Sequence, residues 1–271
     1  MRQLLSLIVA IVGLATGVAT AFAAEDLTSS CIAVAGNGAP RPIPAALAQT
    51  QQAADEVQIT YVGHSAFRIR TPQGVTIVTD YAGYFGPGPV PDVVTMNHAH
   101  SSHFTSSPDP EIRHVLPGWN ETGFGPVVHR VQIEDVLIRN VATDLYSYNV
   151  LVEENGNSIF VFEVAGLCIG HLGHLHHKLT PEHIAKLGRI DVLFAPVDGT
   201  YTMSLDGMAE TAALLRSSLL IPMHYFSAFS LEKFITGLAD RFESEIATSN
   251  TVTVSRQTLP PSPKILVLPP Y

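Results

Sequence analysis

The sequence predicts an α/β chain whose first half is rich in strands and whose second half carries helices on the outside. Three observations predict it. From Val57 onward, short β-branched runs (VQITYVG, AFRIRT, VTIVTD) are broken by turn residues. From Leu179 onward, apolar strand-like runs alternate with segments that carry their own helix caps. The composition, 46% apolar and only 14% charged, supports a packed core and argues against disorder.

In chain order, residues 1–23 read as a signal peptide. Arg2 is a short basic start, Leu4 to Val18 is an apolar run, and Ala21-Phe22-Ala23 is a small-x-small cleavage site. An uncleaved membrane anchor is the alternative. Processing implies a periplasmic or secreted protein with no stable membrane anchor, since no second long apolar run follows. Residues 24–56, rich in Ala, Pro, Gln and Gly, read as an irregular lead-in.

Hairpins follow, with TPQG at 71–74 as a turn. PDVVTMN is a strand whose C-terminal end delivers a histidine cluster. PVVHRVQIEDVLIRNVAT reads as two strands, and YNVLVEENGNSIFVFEVAGLCIGHLG as three, turning at ENGN and VAG. LTPEHIAKLG is a helix with Thr180 at the N-cap, Pro181 at N1 and Gly188 past the end. IDVLFAPVDG is a buried strand, SLDGMAETAALLRSS a helix opened by Ser204, and LLIPMHY a strand. SLEKFITGLADRFES reads as a helix capped by Ser230, and KILVLPP as the closing strand. No linker or repeat interrupts residues 57–271, which therefore read as one domain.

The formal net charge of -9 makes nucleic acid a poor default partner. A small-molecule substrate is expected, and homo-oligomerisation is left open. Two cysteines remain for an oxidising compartment. A Cys31–Cys168 disulfide would tie the lead-in to the core; alternatively Cys168, inside GLCIGHL, is a small buried hydrophobe.

Twelve histidines carry the chemistry. NHAHSSHFT places His98, His100 and His103 just after a strand, and in an extended segment His98 and His100 would share a face. His171, His174, His176 and His177 crowd GHLGHLHHK, and His224 ends IPMHY. Neutral imidazole binds zinc and other first-row metals, and strand ends are where α/β sites assemble. His114, His129 and His183 read as structural.

In this order, ITYVGHSAF, VTIVTDYAG, DVVTMNHAHSSHFT, LCIGHLGHLHHKLTPEHIAKLGRIDVLFAPVDGTYTM and LLIPMHY resemble the metallo-β-lactamase superfamily, in particular its lactonase-like metal-dependent hydrolases. The resemblance covers roughly residues 57–226. It implies an αββα four-layer sandwich: two mixed sheets face to face, helices outside, and a metal site at one edge. It implies ligands at His98, His100, His103, Asp144, His174 and His224, with His64, Asp80 and Ser102 behind them.

Three positions depart from the family pattern. Ser102 stands where H-x-H-x-D-H has aspartate, Asp144 where a histidine is expected, and His174 where HLGD has a bridging aspartate. A neutral imidazole has one free lone pair and cannot bridge two cations. One tightly held ion per chain is therefore expected, zinc or else manganese or iron. The implied function is hydrolysis of an ester, lactone or phosphodiester by metal-activated water, with His103, His174 and His224 as proton donors wherever they are not ligands. The competing reading is a protein that kept the fold and binds a metal or ligand without catalysis.

Overall fold

The computed structural model describes residues 28–32 and 55–270. The signal-peptide segment and nearly all of the lead-in lie outside the described residues. The elements are β1 (Val57–Gly63), β2 (Ala66–Arg70), β3 (Thr76–Val78), β4 (Val93–Met96), β5 (His114–Pro117), β6 (Arg130–Ile133), β7 (Val136–Ser147), β8 (Val150–Val164) and β9 (Leu167–His171). Strands and helices then alternate: α1 (Pro181–Leu187), β10 (Val192–Pro196), α2 (Leu205–Leu215), β11 (Leu219–Met223) and α3 (Ala228–Gly237), followed by β12 (Glu243–Ile246), β13 (Thr251–Val254) and β14 (Lys264–Val267).

Two mixed sheets form. One runs β13-β1-β2-β3-β4-β5, the other β12-β14-β11-β10-β9-β8-β7-β6. The central strands β9, β10 and β11 of the second sheet are buried on both faces, which is why they read as continuous apolar runs. On β8, Phe160 and Phe162 join Ile59, Phe67 and Ile77 of the first sheet in a core between the sheets. Their neighbours Ile159 and Val161 face outward, in the cluster that holds Met208 and Ala212 of α2 and Phe234 of α3. Phe67 stacks on Phe194 across the sandwich, with centroids 4.1 Å apart and planes 8° off parallel. The outer face of the first sheet is covered by loops: Val78, Val94 and Met96 pack with Tyr81 and Ile112, flanked by Phe85, Phe104 and Trp119. Among the described residues, no helix is long and apolar enough to cross a membrane.

The caps of α1 are those the sequence predicts: Thr180 accepts from the N–H of His183, Pro181 leads, and Gly188 ends the helix. Ser204 likewise caps α2. Three expectations are corrected. The cap of α3 is Ser227 rather than Ser230, and that helix ends at Gly237, so ESEI becomes strand β12. The ENGN segment does not turn, because β8 runs through it as one strand of 15 residues. Asn155 instead takes a left-handed φ of 56°, and the pairing of β7 with β8 shifts around Leu145. A Cβ on Gly156 would lie 2.6 Å from Leu145, so the glycine serves a close approach within a bulge.

Of the two cysteine readings, the structure adopts the disulfide, Cys31–Cys168, with Cα atoms 5.9 Å apart. Residues 28–32 are clipped down around it. Ser29 Oγ and Ser30 N–H donate to the two oxygens of Glu163, at 2.6 and 2.7 Å. Glu163 also pairs with buried Arg139, whose other nitrogens donate to the carbonyls of Lys186 and Leu187 at the end of α1.

Candidate metal centre

Strand-end loops after β1, β3, β4, β9 and β11 meet at one edge of the sandwich. After β4 the chain folds back: Asn97 N–H donates to His103 O and His103 N–H to His100 O. This turn directs His100 and His103 to one side. After β9, Gly173 at φ 59° lets the chain pass so closely that a Cβ would sit 2.4 Å from Asn157 Oδ1. Asn157 Oδ1 in turn accepts from His174 N–H at 2.7 Å. After β11, His224 adopts φ 52°, and its N–H donates to His64 O. His64 and Asp80 are also left-handed, at φ 53° and 46°. Three non-glycine residues in that region at one edge mark a backbone shaped for a site.

One nitrogen or other ligating atom from each of His100, His103, His174 and His224 lies within 4.8 Å of the other three. His100 Nε2 stands 3.1 Å from His174 Nε2, and His103 Nε2 stands 3.2 Å from His224 Nε2. Every one of the four has its Nδ1 occupied from behind. The partners are Ser102 Oγ at 2.7 Å for His100, Asp80 Oδ2 at 2.7 Å for His103, His176 Nε2 at 2.7 Å for His174 and Asp198 Oδ2 at 2.9 Å for His224. An acceptor at Nδ1 fixes the proton there and leaves Nε2 as a bare lone pair, the usual support for a ligating imidazole. For His103 and His224, whose partners are carboxylates, two lone pairs then face each other inside the protein. A cation between them converts that repulsion into binding. Nitrogen–nitrogen gaps of 3.1–3.2 Å also match what metal–nitrogen bonds of about 2.0–2.1 Å produce around one ion. The donor set therefore fits a first-row metal.

The electrostatics agree. Burial alone would neutralise Asp80, but His103, His171 and a hydrogen bond from Asn97 hold it well below the usual carboxylate range. Asp198 is likewise kept ionised against its burial by His224, Thr202 and backbone N–H groups. Burial, then the neighbouring His103 and His224, push His174 far below the ordinary histidine value. The same causes lower His100 to about 4. Neutral imidazole, the ligating form, is thus favoured.

Residues 58–224 match the family model described as the beta-lactamase superfamily domain. This chain belongs to the metallo-β-lactamase superfamily. A metal-dependent hydrolase of Thermoplasma volcanium is 27% identical over 194 residues, covering 63% of this chain and 84% of the relative. The crystal structure of a protein assigned as a Zn-dependent hydrolase of this superfamily from Thermotoga maritima is 30% identical. It superimposes with a TM-score of 0.56, covering 78% of this chain and 98% of the other. Igni18, a metallo hydrolase from Ignicoccus hospitalis, shares the fold at 18% identity and a TM-score of 0.52.

In this superfamily member the structure brings together four of the six residues expected as ligands and leaves two elsewhere. His98 does not share a face with His100, because the loop turns rather than extends. Its Nδ1 lies 2.8 Å from Glu153, and its ring stacks on Trp119 at 4.8 Å. Asp144 spends its carboxylate on the β8 bulge, accepting from Asn155 N–H at 2.9 Å. Ser102, where the superfamily pattern has aspartate, sits between His100 and His64 and accepts the Nδ1 proton of the former. His103, His174 and His224, expected as proton donors when not ligating, have both ring nitrogens committed. His171 is buried with Nε2 donating to Ser65 O and Nδ1 accepting from Gly173 N–H, a structural role. His129 bonds Pro117 O, and His183 closes the α1 capping box.

Two supporting residues escaped the sequence reading. Asp198 follows β10 in APVDG as Asp80 follows β3 in VTD, so its position just past a strand is a usable signal. His176 was visible only as one of a crowd.

Proposed function

We propose that this protein is an exported metal-dependent hydrolase that cleaves an ester, lactone or phosphodiester at a single four-histidine centre. The observation that carries the reading is the facing pair of His103 and His224 nitrogens, each backed by a buried carboxylate. A divalent ion held there, zinc in the first instance, would supply Lewis acidity and make water nucleophilic near neutral pH.

The chain's own residues do the rest. Asp80, Asp198, His176 and Ser102 fix the ligand tautomers. His64 stands at the edge of the cluster, its ring 4.2 Å from that of His224, and its Nε2 accepts from Ser102. Burial, then His224 and His103, lower its pKa to about 4, so it is neutral at pH 7 and its Nε2 lone pair holds the Ser102 hydroxyl in place behind His100. His100 is the solvent-exposed member of the four. It is the ligand best placed to yield a coordination position to substrate.

One observation favours the second reading, metal binding without hydrolysis: four histidines on one ion would form a closed, structural-type set. The test is to load the purified chain with Zn²⁺ or Mn²⁺, measure metal content, and assay ester, lactone and phosphodiester substrates. The hydrolase reading expects about one ion per chain and turnover that falls at least roughly 100-fold in His224→Ala. A full complement of metal with no turnover on any of the three classes favours the closed site. Export is tested by N-terminal sequencing, with a start after Ala23 or Ala24 expected.

A further inference from the structure

We propose that the mouth of this centre selects substrates bearing an uncharged, apolar arm beside the scissile bond, lodged against Tyr201 and Phe226; the inference rests on the hydrolase reading above. A cavity of 420 Å³, within the usual range for ligand pockets, is lined by His100, Tyr201 and Phe226. His100 is a metal-facing histidine, so the cavity opens onto the centre itself. Among the described residues no carboxylate, lysine or arginine lines it, so a charged arm would find no counter-charge on this wall.

The two aromatic rings are largely exposed, 64% for Tyr201 and 61% for Phe226, and both stand at the mouth of the histidine cluster. They are also held in place. They meet edge to face with centroids 5.7 Å apart and planes at 81°. Phe226 leans on His224 at 5.1 Å and on His64 at 5.8 Å. The turn carrying Tyr201 is tied to the centre by Asp198, whose Oδ1 accepts from the N–H groups of Thr200, Tyr201 and Thr202 while its Oδ2 holds His224. One carboxylate therefore sets the positions of both a ligand histidine and the apolar wall. The rings are thereby held against the histidines that would bind the ion, as a specificity pocket requires. Tyr201 also lines a larger, more polar cavity with Tyr146, Asn149, His176 and Lys178, so it borders two compartments of different character.

The test uses straight-chain alkyl hydroxamic acids of two, four, six and eight carbons. Each carries the same metal-seeking head and a longer apolar arm. Affinity for the zinc-loaded protein is measured by calorimetry, independently of turnover. A half-open apolar wall gains roughly twofold per added methylene, about half the effect of full burial, so the eight-carbon compound binds at least about tenfold tighter than the two-carbon one. Phe226→Ala and Tyr201→Ala flatten this dependence, whereas Tyr201→Phe, which keeps the ring, retains it.

Binding that is equal at all lengths overturns the pocket and leaves the metal centre standing. A length dependence that survives both alanine variants overturns the assignment to these residues. Zinc binding with no hydroxamate bound overturns the open centre and the pocket together. Equal thermal melts for the variants and the wild type confirm that the comparison is of folded proteins.

Discussion

At the scale of the residue, the identity of each histidine was legible but its orientation was not. Spacing in NHAHSSHFT gave three candidates, yet only the turn after β4 decides that His103 enters the cluster while His98 stacks on Trp119. Local backbone hydrogen bonds close that turn, but His98 N–H is fixed by the carbonyl of Gly156 on β8, a long-range contact that no local pattern encodes. Two outcomes follow. Asp80→Asn and Asp198→Asn each weaken metal binding about 10- to 100-fold by releasing the imidazole behind which they stand, whereas His98→Ala changes it less than about threefold. Competition against a chromophoric chelator reads both. The second outcome concerns acidity in the metal-free protein. His64, His100 and His176 are lowered from 6.5 to about 4, mainly by burial and, for His64 and His100, next by neighbouring histidines. The unfolded chain therefore binds more protons than the folded one between those values, and stability falls as pH drops from about 6.5 toward 4. Thermal melts of metal-free protein across that window should show a declining midpoint, and metal should move the decline to lower pH.

At the scale of the element, strand and helix content was readable because caps and apolar runs are local signals. Thr180, Pro181 and Gly188 frame α1 by themselves. The β8 bulge was unreadable for the opposite reason. ENGN has the composition of a turn, and only the pairing with β7 and the hydrogen bond from Asn155 to Asp144 keep it extended. Gly173 illustrates how an element boundary serves the site. Alanine there meets Asn157 and Asn97 at 2.4–2.5 Å in a left-handed conformation. Gly173→Ala should displace the loop bearing His174, lowering both thermal stability and zinc affinity. The clasp of Arg139, Glu163 and the end of α1 is a second element-scale feature. Arg139 and Glu163 are 4% and 6% exposed, so Glu163→Ala leaves a buried guanidinium without its counter-charge. A loss of about 3–5 kcal/mol is expected in urea unfolding.

At the scale of the whole molecule, the order of motifs carried the superfamily and its two-sheet sandwich, because that order fixes which strand ends meet. The outer layers were less legible. Among the described residues, the helices pack on the second sheet, and the first is covered by loops whose aromatic anchors have no periodicity to read. The disulfide acts at this scale too, closing a loop of 137 residues. In the chain-entropy account such a loop is worth about 5 kcal/mol, so Cys31→Ser with Cys168→Ser should lower the thermal midpoint without altering metal content. The strand order has a temporal side. β1, made early, lies between β2 and β13, and β13 is made only at Thr251–Val254, while β12 at the edge of the other sheet has no partner until β14 at Lys264–Val267. Neither sheet can be completed by the first 250 residues, and Val254 belongs to the core that both share. The molecule must therefore close after most of the chain has been synthesised, with one edge of β1 waiting unpaired until β13 arrives. A chain truncated after Asn250 should remain open to protease throughout, and the full-length chain should become resistant in a single late step.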